Sequence, residues 1–163
     1  MDNVLAAAFR RHYSQIYSYV RRTGSSHADA EEITQEVFAQ AAARLERLTM
    51  DSRPLAAWLY TVAQRRLADE GRRRARAARL LTLAQPATDS LSMYGTSVAS
   101  ALGRALQTLP DAQRRVVVLK LLEGRPFAEI ALLLGTTEAA SRMRFSRALE
   151  HLRDELEREG ITP

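Results

Sequence analysis

Apolar residues in the first half of this chain recur at the spacing of a helix face. Leu5, Phe9, Tyr13, Ile16, Tyr17 and Val20 form one series, and Ile33, Val37, Ala41, Leu45 and Leu48 form a second. Steps of three and four place each series along one side of an α-helix. No stretch alternates apolar with polar residues long enough to make a strand. TGSSHAD (23–29) separates the two series, with Ser25 or Ser26 available as N-cap, and TMDSRP (49–54) makes a second break. A third helix is predicted from about Leu55 into an arginine-rich tail.

The spacing returns in the second half. Helices are predicted over 98–106, 111–122, 127–134 and about 138–157, punctuated by TLPD, EGRP and LGTT. Between the halves lies TLAQPATDSLSMYGTS (82–97), rich in Ser, Thr, Ala and Pro and nearly uncharged. The expected fold is all-α: two small helical domains, residues 1–80 and 98–163, joined by a flexible linker over 81–97. The 163 residues suffice for two small domains. Without cysteine there are no disulfides, thiolate chemistry or Cys-based metal sites. No apolar run approaches a membrane span, and the N-terminus does not read as a signal peptide. A cytoplasmic protein with no membrane contact of its own is expected. His12, His27 and His151 are isolated, and no phosphate loop or paired-carboxylate motif stands out. Neither an enzyme nor a cofactor or metal site is expected.

Charge points to the partners. A net charge of +5 and a pI near 10.2 suit a polyanion. Lys120 is the only lysine, so the positive charge is almost all arginine, which gives bidentate contacts to phosphates and base edges. PFAEIALLLGTTEAASRMRFSRALEHL (126–152) has the layout of a helix-turn-helix: a short helix, a Gly turn, a capping Thr137 and a longer helix. On the longer helix Phe145, Ala148, Leu149, Leu152 and Leu156 form the expected core stripe. Arg142, Met143, Ser146 and Arg147 occupy the other face, with Arg144 at its edge. Arginine in the N-terminal half opposes the helix dipole, which suits a half that enters a DNA major groove. A solvated basic face would show the same composition.

Against this basic background, DAEEITQEVF (29–38) carries four carboxylates and no Lys or Arg. Ile33, Val37 and Ala41 share one helix face, and Glu32, Gln35, Glu36 and Gln40 the other. Such a patch suits a basic protein surface; a solvated helix start, where acids are favoured, is the alternative. The next helix has seven arginines between Ala63 and Arg79, against Asp69 and Glu70, with Trp58 and Tyr60 before it. Phosphate affinity and base stacking are available there, as is a plain solvated face with Trp58 in the core. Read functionally, this half has one face for protein and another for nucleic acid.

Taken in order, these stretches resemble the extracytoplasmic-function (ECF) subgroup of bacterial sigma factors, the dissociable promoter-recognition subunits of RNA polymerase. ADAEEITQEVF resembles the family's core-polymerase-binding segment, and AAWLYTVAQRRLADEGRRR its promoter-melting helix. LQTLPDAQRRVVVLKLLEGRPFAEIALLLG with SRMRFSRALEHLR resembles its C-terminal promoter-reading domain. The resemblance implies partners and site residues. Asp29, Glu32, Gln35 and Glu36 would meet the clamp helices of the beta-prime subunit of core RNA polymerase, and the second domain would sit on the beta flap. Thr49, Met50, Asp51, Ser52 and Arg53 would capture a flipped base of the minus-ten element, with Arg65, Arg66, Asp69, Arg72 and Arg73 holding the melting strand. Thr137, Arg142, Met143, Ser146 and Arg147 would serve the minus-thirty-five element, with Arg147 on a phosphate. Promoter DNA and an anti-sigma factor complete the implied partners. A stand-alone helix-turn-helix regulator remains the alternative.

The chain departs from the family pattern at several places. Arg65 stands where Asn is common, and Pro126 where a capping Ser is usual. Ala139-Ala140-Ser141 replaces the usual small-Thr-Val, putting a hydroxyl where a core valine is expected.

Overall fold

A computed structural model describes residues 2–44, 47–48, 54–81 and 97–161. Its elements are α1 (Asp2–Arg22), α2 (His27–Ala43), α3 (Leu55–Leu81), α4 (Ser97–Thr108), α5 (Asp111–Val117), α6 (Phe127–Leu134) and α7 (Glu138–Arg158). No strand occurs among the described residues. The loop at 49–53 and the stretch 82–96 lie outside them. The chain divides into two compact units, the first carried by α1–α3 and the second by α4–α7.

In the first unit the apolar stripes meet. Ile16, Tyr19 and Val20 of α1, Ile33, Val37 and Phe38 of α2, and Leu59, Tyr60 and Val62 of α3 are all buried. Tyr60 packs on Tyr19 with ring centroids 4.9 Å apart. At 1% exposure it cannot stack on a base, whereas Trp58 is half-buried. Ser26 is the N-cap of α2: its hydroxyl accepts from the Asp29 N–H at 3.1 Å and donates to the Asp29 carboxylate at 2.5 Å. The Asp29 carboxylate in turn accepts from the Ser26 backbone N–H. This reciprocal capping box fixes where α2 begins.

The second unit closes on Ala105, Leu106, Leu109, Val117, Ala148 and Leu152, with Leu102, Phe145 and Leu156 packed against them. Arg114, only 16% exposed, caps the C-terminus of α4. Its guanidinium donates to the carbonyls of Leu106 (2.8 Å), Gln107 (3.1 Å) and Leu109 (2.8 Å). These are carbonyls a helix end leaves without partners. The α6–α7 turn follows the expected chemistry. Gly135 adopts φ +62°, which favours glycine, and Thr137 caps α7 by accepting from the Ala140 N–H at 3.1 Å.

Two expectations need correction. The helix expected over 111–122 is α-helical only to Val117 and continues as a π-helical turn over Val118–Leu122, where the Glu123 N–H reaches the Val118 carbonyl at 3.1 Å. Leu121 stands 53% exposed on this turn. Leu149 belongs to the surface rather than the core, at 38% exposure. It lines an apolar groove with Leu102, Leu121, Leu156 and Ile161. Ala148 and Leu152 face the core centre squarely, and Leu149 lies one helical step to their side.

Candidate functional site

The acidic residues of α2 and the arginines of α3 line one groove. It is open, with a volume of about 370 Å³; Asp29, Glu32 and Glu36 form one wall and Arg66, Arg72 and Arg73 the other. The acidic and basic sets therefore share a groove over part of their extent. Glu36 is ion-paired with Arg66 and Asp29 with Arg74, both pairs crossing from α2 to α3. The Gln40 amide, with its oxygen turned to Arg66, accepts from Nη2 at 2.7 Å and Nε at 3.3 Å. Packing Ile33, Val37 and Ala41 into the core brings these side chains together. The same helical phase that buries one stripe aims the other at α3.

Charge within the groove is graded. Burial alone would raise the Asp29 carboxyl, but the Ser26 hydroxyl and Arg74 outweigh it and hold the group below its ordinary value. Glu70 is also held low, chiefly by Arg73 and, against some burial, by Arg74. Asp69 pairs with Arg72 one turn along the helix. Glu32 and Gln35 are exposed, and Glu32 makes no ion pair among the described residues. Arg65 is exposed and likewise without an ion-pair partner among them. Thr49, Met50, Asp51, Ser52 and Arg53 lie outside the described residues.

On α7, Arg142, Met143, Ser146 and Arg147 are exposed on one face, with Met143 at 56%. Arg147 has no ion-pair partner among the described residues. Arg142 is held twice: Nη2 lies 2.5 Å from the Glu138 carboxylate, and the guanidinium carbon lies 4.7 Å from the Phe127 ring centroid. Neither partner was singled out in the sequence. The Glu138–Arg142 spacing of four was a legible signal; Phe127, on a different helix, gave none. Ser141 is fully buried, as the family pattern implied, and its hydroxyl has no hydrogen-bond partner among the described residues. No helix among the described residues is long and apolar enough to cross a membrane.

Comparison with known proteins places this geometry in context. Residues 8–77 match the family Sigma-70 region 2, and residues 99–152 match Sigma-70, region 4. The ECF RNA polymerase sigma factor SigF of Caulobacter vibrioides is 32% identical over 146 residues, covering 86% of this chain and 78% of the relative. SigD of Mycobacterium tuberculosis, also an ECF RNA polymerase sigma factor, is 32% identical over 144 residues. That match covers 84% of this chain and 66% of SigD, so the chain spans just under two thirds of that relative's length. Among solved structures, the sigma factor RpoE of Bartonella quintana, in complex with the anti-sigma factor NepR, shares the fold with a TM-score of 0.70. That likeness covers 93% of this chain and 96% of the other at 22% identity. With two sigma-70 regions in order and an ECF sigma factor matched over most of its length, the chain belongs to the ECF family of RNA polymerase sigma factors.

Proposed function

We propose that this protein binds core RNA polymerase and directs it to specific promoters, acting in the cytoplasm by binding and not by catalysis. Residues 1–80 form its N-terminal sigma domain, 81–97 the linker and 98–163 the C-terminal sigma domain. The observation that carries the reading is the succession of region 2 and region 4 along the chain.

Glu32, Gln35 and Glu36 meet the basic clamp helices of the beta-prime subunit. Asp29, engaged by Ser26 and Arg74, supports them by fixing the start of α2. The exposed arginines of α3, led by Arg65, with Arg66, Asp69, Arg72, Arg73 and the loop Thr49–Arg53, serve the minus-ten element. The second domain sits on the beta flap and lays α7 in the major groove of the minus-thirty-five element. There Arg142, Met143 and Ser146 read base edges, Arg147 holds a phosphate, and Thr137 caps the reading helix. An anti-sigma factor controls the protein, a reading supported by the related RpoE having been seen with NepR.

The test is run-off transcription with core RNA polymerase on a randomised promoter library. Discrete transcripts that depend on the added protein are expected. A protein that binds duplex DNA but never associates with core would instead be a stand-alone helix-turn-helix regulator.

A further inference from the structure

We infer that Phe127 and Glu138 are positioning residues for the minus-thirty-five readout, acting together as a two-point holder for the Arg142 guanidinium. The inference rests on Arg142 being a base reader. A long arginine side chain free in solvent samples many rotamers, and ordering one at a groove floor opposes specific binding. Here the ordering is done in advance. The Phe127 ring lies 4.7 Å from the guanidinium carbon, and the Glu138 carboxylate takes Nη2 at 2.5 Å. Stacking on a ring face leaves the in-plane N–H donors of a guanidinium available at its edges. Bidentate contact with the O6 and N7 of guanine uses donors of that kind. Glu138 occupies one amino group and fixes rotation about the stack.

The ring itself is a fixed platform. Phe127 is the first residue of α6, half-buried, and meets Phe145 edge-on at 5.5 Å between centroids. Phe145 in turn packs against the buried core of the second unit. The Lys120 ammonium lies 4.8 Å from the same centroid, a second cation near the ring. Glu138 is the less expected member, because a carboxylate near phosphates opposes DNA binding. Its presence is explained if it raises discrimination at some expense in affinity, as specificity devices do.

The test measures promoter binding by the holoenzyme on duplexes carrying every single substitution in a selected minus-thirty-five element. Phe127→Leu should lower base discrimination at the positions Arg142 reads by about 3- to 10-fold, a part of the roughly 10- to 100-fold a bidentate contact supplies. Phe127→Tyr, which keeps the ring, should retain discrimination within about twofold. Glu138→Gln should move two readouts in opposite directions: tighter binding to all sequences and weaker discrimination. In an Arg142→Ala background neither Phe127→Leu nor Glu138→Gln should change base preference further. If Phe127→Leu lowers discrimination equally with and without Arg142, the ring acts by shaping the helix and the inference is overturned. If Arg142→Ala itself leaves base preference unchanged, the readout assigned to Arg142 fails, and that result is separable from the first. Glu138→Gln leaves the apolar core untouched, so it decides the matter even if Phe127→Leu folds poorly.

Discussion

Exchanging the charges of Glu36 and Arg66 separates the two jobs that Glu36 has been given. The pair crosses from α2 to α3, with its side chains 40% and 35% exposed. Partly solvated pairs of this kind contribute about 0.5 kcal/mol. Glu36→Arg removes that and adds a like-charge contact of similar size, so the first domain should lose about 1 kcal/mol. Against a typical stability of about 5–15 kcal/mol it stays folded. Core polymerase binding should suffer far more, because like charges brought together at an interface cost several kcal/mol. With about 1.4 kcal/mol per decade, the affinity should fall by more than about 100-fold. Adding Arg66→Glu restores the internal pair with its sign reversed, and Gln40 can turn its amide to donate instead of accept. Urea denaturation followed by circular dichroism should then return to within about 0.5 kcal/mol of the wild type. A fluorescence titration of core enzyme should show that affinity is still lost. If the exchange restored core affinity together with stability, Glu36 would be needed only inside the fold and the polymerase assignment would be wrong.

Other consequences follow from single residues. Ser141→Ala should stabilise the second domain by about 1 kcal/mol in a thermal melt, because it removes a fully buried hydroxyl without a partner; a loss of stability would mean that the hydroxyl is satisfied. Arg114→Met should cost about 2–4 kcal/mol by uncapping three carbonyls at the end of α4, with Arg114→Lys recovering only part. The Asp29 and Glu70 carboxyls are held below their ordinary values of 3.8 and 4.5, so each contributes stability above those values that is lost as pH falls through the folded-state values. Denaturation midpoints of the first domain should therefore fall in acid below about pH 4, and Asp29→Asn should flatten that limb; an unchanged acid limb in the variant would show the capping carboxylate to be irrelevant.

What the sequence made legible was phase, and what it hid was partnership. The three-and-four spacing of Ile33, Val37 and Ala41 told which side of α2 is buried, and burial bears this out. Gly135 and Thr137 announced the turn because each answers a local backbone demand that few other residues meet. Ser141 was legible as a misfit only through the family resemblance, which puts a core valine where this chain has a hydroxyl. The pairing of Glu36 with Arg66, thirty positions apart, was not legible, since either side chain alone reads as a solvated charge. The π-helical turn at Val118–Leu122 also left no trace, because VVVLKLLEG suits continuous helix and the shift in hydrogen-bond register is decided by tertiary packing. That shift accompanies an exposed Leu121, so a chain of four apolar residues in five ends partly on the surface.

The same pairing changes how the basic character of the chain should be read. A pI near 10.2 suggests a broad phosphate-binding surface. Yet Arg66, Arg72, Arg73 and Arg74 each already face a carboxylate, on Glu36, Asp69, Glu70 and Asp29. An arginine with a protein counter-charge holds fewer condensed ions and must exchange one anion for another to reach DNA. Its contact therefore adds less to the counterion release that drives nonspecific binding. Arg65, Arg76, Arg79 and Arg147 are exposed and without ion-pair partners among the described residues, and arginines of this kind contribute in full. Nonspecific affinity should accordingly follow these unpaired arginines more than the total charge. Arg147→Ala should weaken binding to all promoter sequences about equally and reduce the salt slope by about one phosphate contact. Arg72→Ala should reduce it by less, because Arg72 is already paired with Asp69 and so supplies less than a full phosphate contact. Measured over a range of salt concentrations, an equal drop for both variants would mean that the ion pairs on α3 dissolve before DNA arrives.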